Sequence, residues 1–188
     1  MRALEVQKIL LTILLSVTLP AFAAEVAGVK IEDQVRVGGA ELALTGAGLR
    51  KKLFFQVYAI GLYVADRKAD LLAQPGPKRV AIRMLRDVDA DDFIEALALG
   101  IKENHSAADA QALEPRVKQL GEVILAIKQA KKGMAIDLDW TASATQVVID
   151  GKPAGAPIAG DDFYRALLRI WLGERPVQED LKKALLGG

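Results

Sequence analysis

Residues 53–64 read Leu-Phe-Phe-Gln-Val-Tyr-Ala-Ile-Gly-Leu-Tyr-Val and form the most apolar strand that the sequence predicts. Aromatic and β-branched residues are frequent in this run, and apolar side chains occupy both odd and even positions. That pattern is typical of a strand whose two faces are both covered. Gly61 inside it indicates either a bulge or the close approach of another segment. We therefore expect this stretch to be a central strand of a sheet.

Strands and helices are predicted in separate groups around this central strand. The predicted strands cover 29–31, 34–37, 41–45, 53–64, 79–85, 134–140 and 145–149. Apolar stripes with the period of a helix occur within 93–101, 113–127, 163–171 and 177–186. Gly46-Ala47-Gly48 is expected to end the strand that precedes the central one. This grouping predicts an α+β fold, with an antiparallel sheet and helices packed on one face.

The composition is that of an ordinary globular protein with one domain. The chain has 188 residues, of which 52% are hydrophobic and 26% are charged, so it can bury a sizeable core. The formal net charge of +1 argues against the broad basic surface of a nucleic-acid-binding protein. Because the sequence has no cysteine, disulfides, thiol catalysis and thiolate metal ligands are excluded.

The first 23 residues have the pattern of a secretory signal peptide. Arg2 and Lys8 mark a charged start, residues 9–19 are an apolar run, and Ala21-Phe22-Ala23 places small residues where a signal peptidase recognises them. The run is too short for a membrane-spanning helix, which needs about 20 apolar residues, and no later segment is long and apolar enough. The sequence therefore predicts a signal peptide at 1–23, a domain at 24–188, and a location in the periplasm or outside the cell.

Few residues suggest catalysis or metal binding. His105 is the single histidine and lies in a polar connection between predicted helices, where a solvated side chain is the simplest interpretation. Asp137 and Asp139 alternate with apolar residues on a predicted strand, so we expect them on its solvent face rather than as a catalytic pair. The sequence predicts no metal site and no cofactor, and it offers no confident catalytic residue.

One group of residues suggests a binding site for a carboxylate. Gly46-Ala47-Gly48-Leu49-Arg50 places an arginine next to the most apolar strand, which carries Tyr58 and Tyr63. A guanidinium can donate two parallel hydrogen bonds to a carboxylate, and a phenol can add a third. The alternative is that Arg50 pairs with a surface carboxylate while both tyrosines belong to the core. The residues alone leave both interpretations open.

The same segment resembles the chalcone isomerase superfamily. In that family a G-x-G-x-R turn precedes a strand that reads close to A-I-G-V-Y, and here residues 46–50 precede Ala59-Ile60-Gly61-Leu62-Tyr63. Residues 172–182 resemble the family's last helices, so the likeness spans about 26–186. The export signal and the short length resemble the bacterial, exported chalcone-isomerase-like branch. The resemblance implies an open-faced β-sandwich, in which a large antiparallel sheet is backed by a layer of helices.

The resemblance also implies roles for individual residues. Arg50 matches the arginine that orients or activates the substrate phenolate in the plant enzymes, and Tyr58 occupies the place of a strand threonine. Phe93 falls where those enzymes have a catalytic tyrosine, Gly100 falls near a helix asparagine, and Ile170 falls near a late threonine or serine. The arginine is thus present, whereas the polar side chains on the helices of the plant active site are replaced by apolar residues or, at Gly100, by no side chain.

Three functions remain open on this basis. The first is a noncatalytic protein that binds a fatty acid or a similar apolar carboxylate, with Arg50 and Tyr58 on the carboxylate and Phe93, Gly100 and Ile170 along the chain. The second is an isomerase of the intramolecular lyase class that acts on a small enone. The third is an envelope interaction protein with a vestigial pocket. We expect the first, with a small apolar ligand as partner.

We predict that the exported protein begins at Ala24, because the small residues at 21 and 23 fit a signal peptidase and the preceding segment has no expected place in a core. N-terminal sequencing of protein recovered from the exported fraction checks this. An intact Met1 on that protein would contradict the prediction.

Overall fold

A seven-stranded antiparallel sheet organises the fold. The computed structural model describes residues 24–67 and 70–188, and the expected signal peptide at 1–23 lies outside them. The strands are β1 (Ala24–Val26), β2 (Val29–Ile31), β3 (Gln34–Val37), β4 (Ala40–Lys52), β5 (Phe55–Val64), β6 (Lys78–Met84), β7 (Val88–Asp89), β8 (Gln129–Ala130), β9 (Ala135–Trp140), β10 (Ala144–Ile149) and β11 (Lys152–Ala159). The helices are α1 (Ala90–Glu103), α2 (Ala107–Leu125), α3 (Asp161–Leu172) and α4 (Glu179–Leu185).

The central strand predicted from the sequence lies inside the sheet. The strand order is β11-β10-β9-β6-β5-β4-β3, so β5 pairs with β4 on one side and with β6 on the other. Two short pairs, β1 with β2 and β7 with β8, lie beside this sheet. Nearly every side chain of β5 after Val57 is buried, as expected for a strand that is covered on both faces.

The helices cover one face of the sheet. Side chains from the strands and from all four helices share one large hydrophobic core, to which α3 contributes Phe163, Leu167, Ile170 and Trp171. Helix α1 packs against α2 and α3, and α4 packs directly on β4. The predicted α+β architecture, an antiparallel sheet backed by a layer of helices, is confirmed. None of the helices in the described residues combines the length and apolar character that crossing a bilayer requires.

The opposite face of the sheet has a smaller core beneath the β1–β2 hairpin. Ile31, Leu44, Ala59 and Tyr63 belong to it. At Gly61 a Cβ atom would lie 2.9 Å from Ile31 Cγ2. The glycine therefore allows the hairpin to approach the central strand, which was one of the two explanations that the sequence suggested for it.

Strand β4 does not end at Gly46-Ala47-Gly48, so that expectation was wrong. The strand runs without a break from Ala40 to Lys52, and the chain turns back only at Leu53 and Phe54. A Cβ atom at Gly46 would lie 2.0 Å from the carbonyl oxygen of Ala184, and one at Gly48 would lie 2.6 Å from Leu181 Cδ1. The two glycines let α4 lie against the strand, and they do not mark a turn.

The aspartates of β9 were also misplaced by the sequence pattern. Asp137 and Asp139 are only 5% and 6% exposed. Arg79 donates two hydrogen bonds of 2.6 Å to Asp139, and Arg83 donates one of 2.5 Å to Asp137. Arginines from the neighbouring strand cover the carboxylates, because opposite charges attract across a strand pair: Arg79 lies directly opposite Asp139, and Arg83 reaches Asp137 diagonally.

We predict that Gly46→Ala destabilises the fold by about 1–3 kcal/mol, because the new methyl group overpacks the contact with α4. Urea denaturation of the variant and the wild type measures this change. Gly121→Ala is the matched control: the nearest atom to its Cβ lies 3.5 Å away, and alanine within α2 should be neutral or stabilise by up to about 1 kcal/mol. Equal midpoints for the Gly46 variant and the wild type would contradict the proposed role of this glycine.

Candidate functional site

The contact between β4 and α4 fixes the position of Arg50. Alternate residues of a strand point to the same face, so Arg50 follows Gly46 and Gly48 on the side of the sheet that bears the helices. The glycines lie beneath α4, and Arg50 lies next to the residue that precedes this helix, Gln178. Directly across the strand pair, Arg50 faces Tyr58 of β5.

Gln178 joins the start of α4 to the end of β4. Its Nε2 donates to the Leu49 carbonyl at 3.1 Å, and its Oε1 accepts from the Lys51 amide at 2.8 Å. The same Oε1 accepts a bond of 3.3 Å from Arg50 Nη1, which also donates to the Lys51 carbonyl. The guanidinium is therefore held at the sheet by neutral oxygens, and it is half-buried.

Tyr58 connects this end of the sheet to helix α3. Its buried hydroxyl oxygen accepts a hydrogen bond of 3.0 Å from Trp171 Nε1. Burial raises the pKa of Tyr58 above its ordinary value of 10.0, while the hydrogen bond from Trp171 and the charge and hydrogen bonding of Arg50 act in the opposite direction. The hydroxyl is therefore neutral at physiological pH, and it lies close to a cation.

Arg50 and Tyr58 can both donate further hydrogen bonds. The phenol oxygen accepts a hydrogen bond from Trp171, and Arg50 lies opposite Tyr58 on the neighbouring strand. No hydrogen bond within the described residues takes up the hydroxyl proton of Tyr58. Arg50 likewise takes part in none of the ion pairs among these residues. An anion placed here would accept from both groups at once, which is the arrangement that a carboxylate requires.

Apolar side chains continue from this pair into the core. Beside Trp171 there is a narrow gap between the sheet and the helices, too tight to hold a water molecule. Its wall consists of Ile60, Leu62, Val80, Leu168, Trp171, Leu172 and Leu185. Ile60 and Leu62 lie on the same face of β5 as Tyr58, so the gap begins within a few residues of the phenol.

The remaining predicted site residues are placed differently. Phe93 is buried in the same large core as Tyr58. A Cβ atom at Gly100 would lie 2.8 Å from Ile170 Cγ2, so α1 and α3 are in close contact there and leave no slot between them. Tyr63 lies on the opposite face of the sheet, where its hydroxyl donates to the Glu32 carbonyl at 2.7 Å. The structure therefore brings Arg50 and Tyr58 together and separates Tyr63 from both.

Two residues of the site were not found from the sequence. Trp171 was assigned to the apolar stripe of its helix, and only the structure shows that its indole nitrogen reaches Tyr58. Gln178 belongs to no recognisable pattern, and it lies 128 positions after Arg50 in the sequence, so only the packing of α4 on β4 brings the two together. A buried tryptophan needs an acceptor for its N–H, which is the one signal that could have drawn attention to Trp171.

The larger surface clefts lie elsewhere, around His105. The clefts on either side of it have volumes of about 480 and 560 Å³. A carbonyl can only accept, so the contact of 2.7 Å from His105 Nδ1 to the Ile101 oxygen makes Nδ1 the donor. Nε2 is then free to accept from Arg169 at 3.2 Å. This arrangement gives both ring nitrogens a partner within the protein and differs from the solvated side chain that the sequence suggested.

Comparisons with known proteins agree with this architecture. The fold is that of the chalcone isomerases, and a family model described as chalcone isomerase-like matches residues 23–187. The chain therefore belongs to the chalcone isomerase-like family. A crystal structure of a fatty-acid binding protein from Arabidopsis thaliana superposes with a TM-score of 0.66 at 16% identity, over 85% of this chain and 92% of that one. No curated protein matches the sequence.

We predict that none of the three tyrosines ionises near pH 10 while the protein is folded. Burial raises the pKa of Tyr58 and Tyr164 above 10.0 and that of Tyr63 to about 12. The unfolded chain loses these protons first, so stability should fall as the pH rises above 10. Phenolate absorbance measured against pH reports the ionisation of the tyrosines, and circular dichroism at the same pH values reports whether the protein is still folded. Phenolate formation near pH 10 in a folded protein would contradict the placement of Tyr58, whereas denatured protein should titrate normally.

Proposed function

We propose that the protein binds a fatty acid, or a similar apolar carboxylic acid, without catalysing a reaction on it. The observation that carries this proposal is the Arg50–Tyr58 pair, in which an arginine with no acidic partner in the described residues lies beside a buried phenol with an unused proton. The alternative of an arginine paired with a surface carboxylate is not supported, because its hydrogen-bond partners are neutral oxygens.

Electrostatics favour an anion at this pair. The guanidinium is always charged, and a half-buried cation loses hydration that only an opposite charge replaces well. A carboxylate can accept one bond from Arg50 and another from the Tyr58 hydroxyl while Trp171 keeps its own bond to the phenol oxygen. An alcohol headgroup supplies no charge, so selectivity for the acid is expected.

The acyl chain would extend from the pair into the core beside Trp171. The gap there is apolar and narrow, so the helices have to move apart to admit a chain. Each CH₂ that enters contributes about 0.8 kcal/mol, which can offset the cost of opening. The fold is shared with a protein named for binding fatty acids, which supports a ligand of this class.

The isomerase alternative receives less support. Ring closure of an enone needs hydrogen-bond donors for the developing enolate, and the helix positions that the family uses for them hold Phe93, Gly100 and Ile170 here. Gly100 and Ile170 pack against each other. We further propose that the protein acts after export, as its N-terminal sequence suggests.

We predict that calorimetry detects binding of a long-chain fatty acid and weaker or no binding of the matching alcohol. Arg50→Ala should weaken the binding of the acid roughly 10- to 100-fold, because a hydrogen-bonded ion pair is lost. The stability of this variant should change little, since Arg50 is only half-buried.

Arg36→Ala provides the matched control for this experiment. Its side chain is 74% exposed on β3 and pairs with Glu41 at 3.8 Å, so it should bind the acid like the wild type. Equal affinities for acid and alcohol, or wild-type affinity in Arg50→Ala, would show that the arginine is structural and that the proposal is wrong.

A further inference from the structure

The tip of the β4–β5 hairpin exposes three large apolar side chains. Leu53, Phe54 and Phe55, here called the hairpin tip, are 84%, 97% and 56% exposed. Elsewhere in the described chain the exposed large apolar residues are single ones on helices or at the chain end, Leu99, Leu125 and Leu186. Single exposed residues are normal, whereas adjacent ones at a protruding turn indicate a contact surface.

The two-residue loop of the hairpin tip places a leucine in a backbone conformation that side chains rarely adopt. Lys52 pairs with Phe55, so Leu53 and Phe54 form a two-residue loop. Leu53 has a φ of 56°, in the region that a side chain with a Cβ enters at a cost. Such loops favour glycine or asparagine. A leucine here is strained and also exposed, so neither the turn geometry nor core packing accounts for it.

Basic side chains surround the hairpin tip. Arg50, Lys51 and Lys52 precede it, and the guanidinium of Arg86 lies 4.4 Å from the centre of the Phe55 ring. None of these four cations takes part in an ion pair within the described residues.

We propose that the hairpin tip docks into the interface of an anionic lipid bilayer. Aromatic and aliphatic side chains enter the boundary between headgroups and acyl chains, and flanking lysines and arginines bind the acidic headgroups. A protein partner fits less well: even at the roughly 200 Å² of an aromatic side chain, the three residues of the hairpin tip fall short of the roughly 800 Å² that each side of a specific interface buries.

Docking would bring the Arg50–Tyr58 pair to the membrane surface. Arg50 is the residue directly before Lys51, so the candidate carboxylate site opens beside the docked hairpin tip. If the fatty-acid proposal holds, the ligand could pass between the bilayer and the core without crossing water. The docking itself rests on the hairpin tip and its charges, and it does not require the fatty-acid proposal.

The test needs a signal that is local to the hairpin tip, because residues 9–19 of the full chain are also apolar. Phe54→Trp places an indole at the tip. The natural tryptophans, Trp140 and Trp171, are 5% and 2% exposed, which keeps them away from quenchers in a bilayer. Vesicles of phosphatidylglycerol and phosphatidylcholine, with bromine atoms on the acyl chains, quench an indole that enters them. Leu99→Trp, at a position that is 55% exposed on α1, is the matched control.

We expect blue-shifted and quenched emission from Phe54→Trp with the anionic vesicles and no change from Leu99→Trp. Added in the Phe54→Trp background, Lys51→Gln with Lys52→Gln should weaken this apparent affinity roughly 25-fold, or about fivefold for each lysine, and Lys118→Gln on α2 should not weaken it. No quenching, equal quenching in both tryptophan variants, or equal quenching by uncharged vesicles would overturn the proposal. A shift that depends on protein concentration without vesicles would indicate self-association and would also overturn it.

Discussion

The close contact between α4 and β4 determines the arrangement of the candidate site. Because Gly46 and Gly48 have no side chains, α4 lies directly on the strand, with its backbone where a Cβ would otherwise be. Gln178 then reaches the end of β4, where its side chain forms hydrogen bonds with Arg50 and with the two residues on either side of Arg50. The glycines and the arginine of this motif are therefore one structural unit: the glycines admit the helix, and the arginine lies just beyond its first turn.

Half-burying an arginine without an acidic neighbour costs free energy, because the guanidinium loses part of its hydration. The same protein neutralises Arg79 and Arg83 on the other face of the sheet with Asp137 and Asp139. It supplies Arg50 with neutral oxygens only. Charged groups that leave water are normally paired, so the contrast between the two faces supports an external anion at Arg50.

The sequence predicted the central strand and the grouping of helices on one face, because alternation and helical period follow directly from backbone geometry. It offered a carboxylate clamp of Arg50 and Tyr58 only as one of two open interpretations. It failed where tertiary contacts decided the outcome. Gly46 and Gly48 suggested a turn, although a packing helix explains them. Asp137 suggested a solvent-facing position until Arg83 of the next strand was seen to cover it. Such partners are distant in sequence, so local patterns cannot reveal them.

The proposed function requires that a fatty-acid carboxylate binds between Arg50 and Tyr58 in the folded protein. Carbon-13 NMR of a fatty acid labelled at its carboxyl carbon tests it most directly, since the chemical shift reports ionisation. We expect the bound carboxyl to stay ionised to lower pH than the free acid, because a cation and a hydrogen-bond donor stabilise its charge. A bound carboxyl that titrates like the free acid would place the headgroup in water and contradict the proposed site.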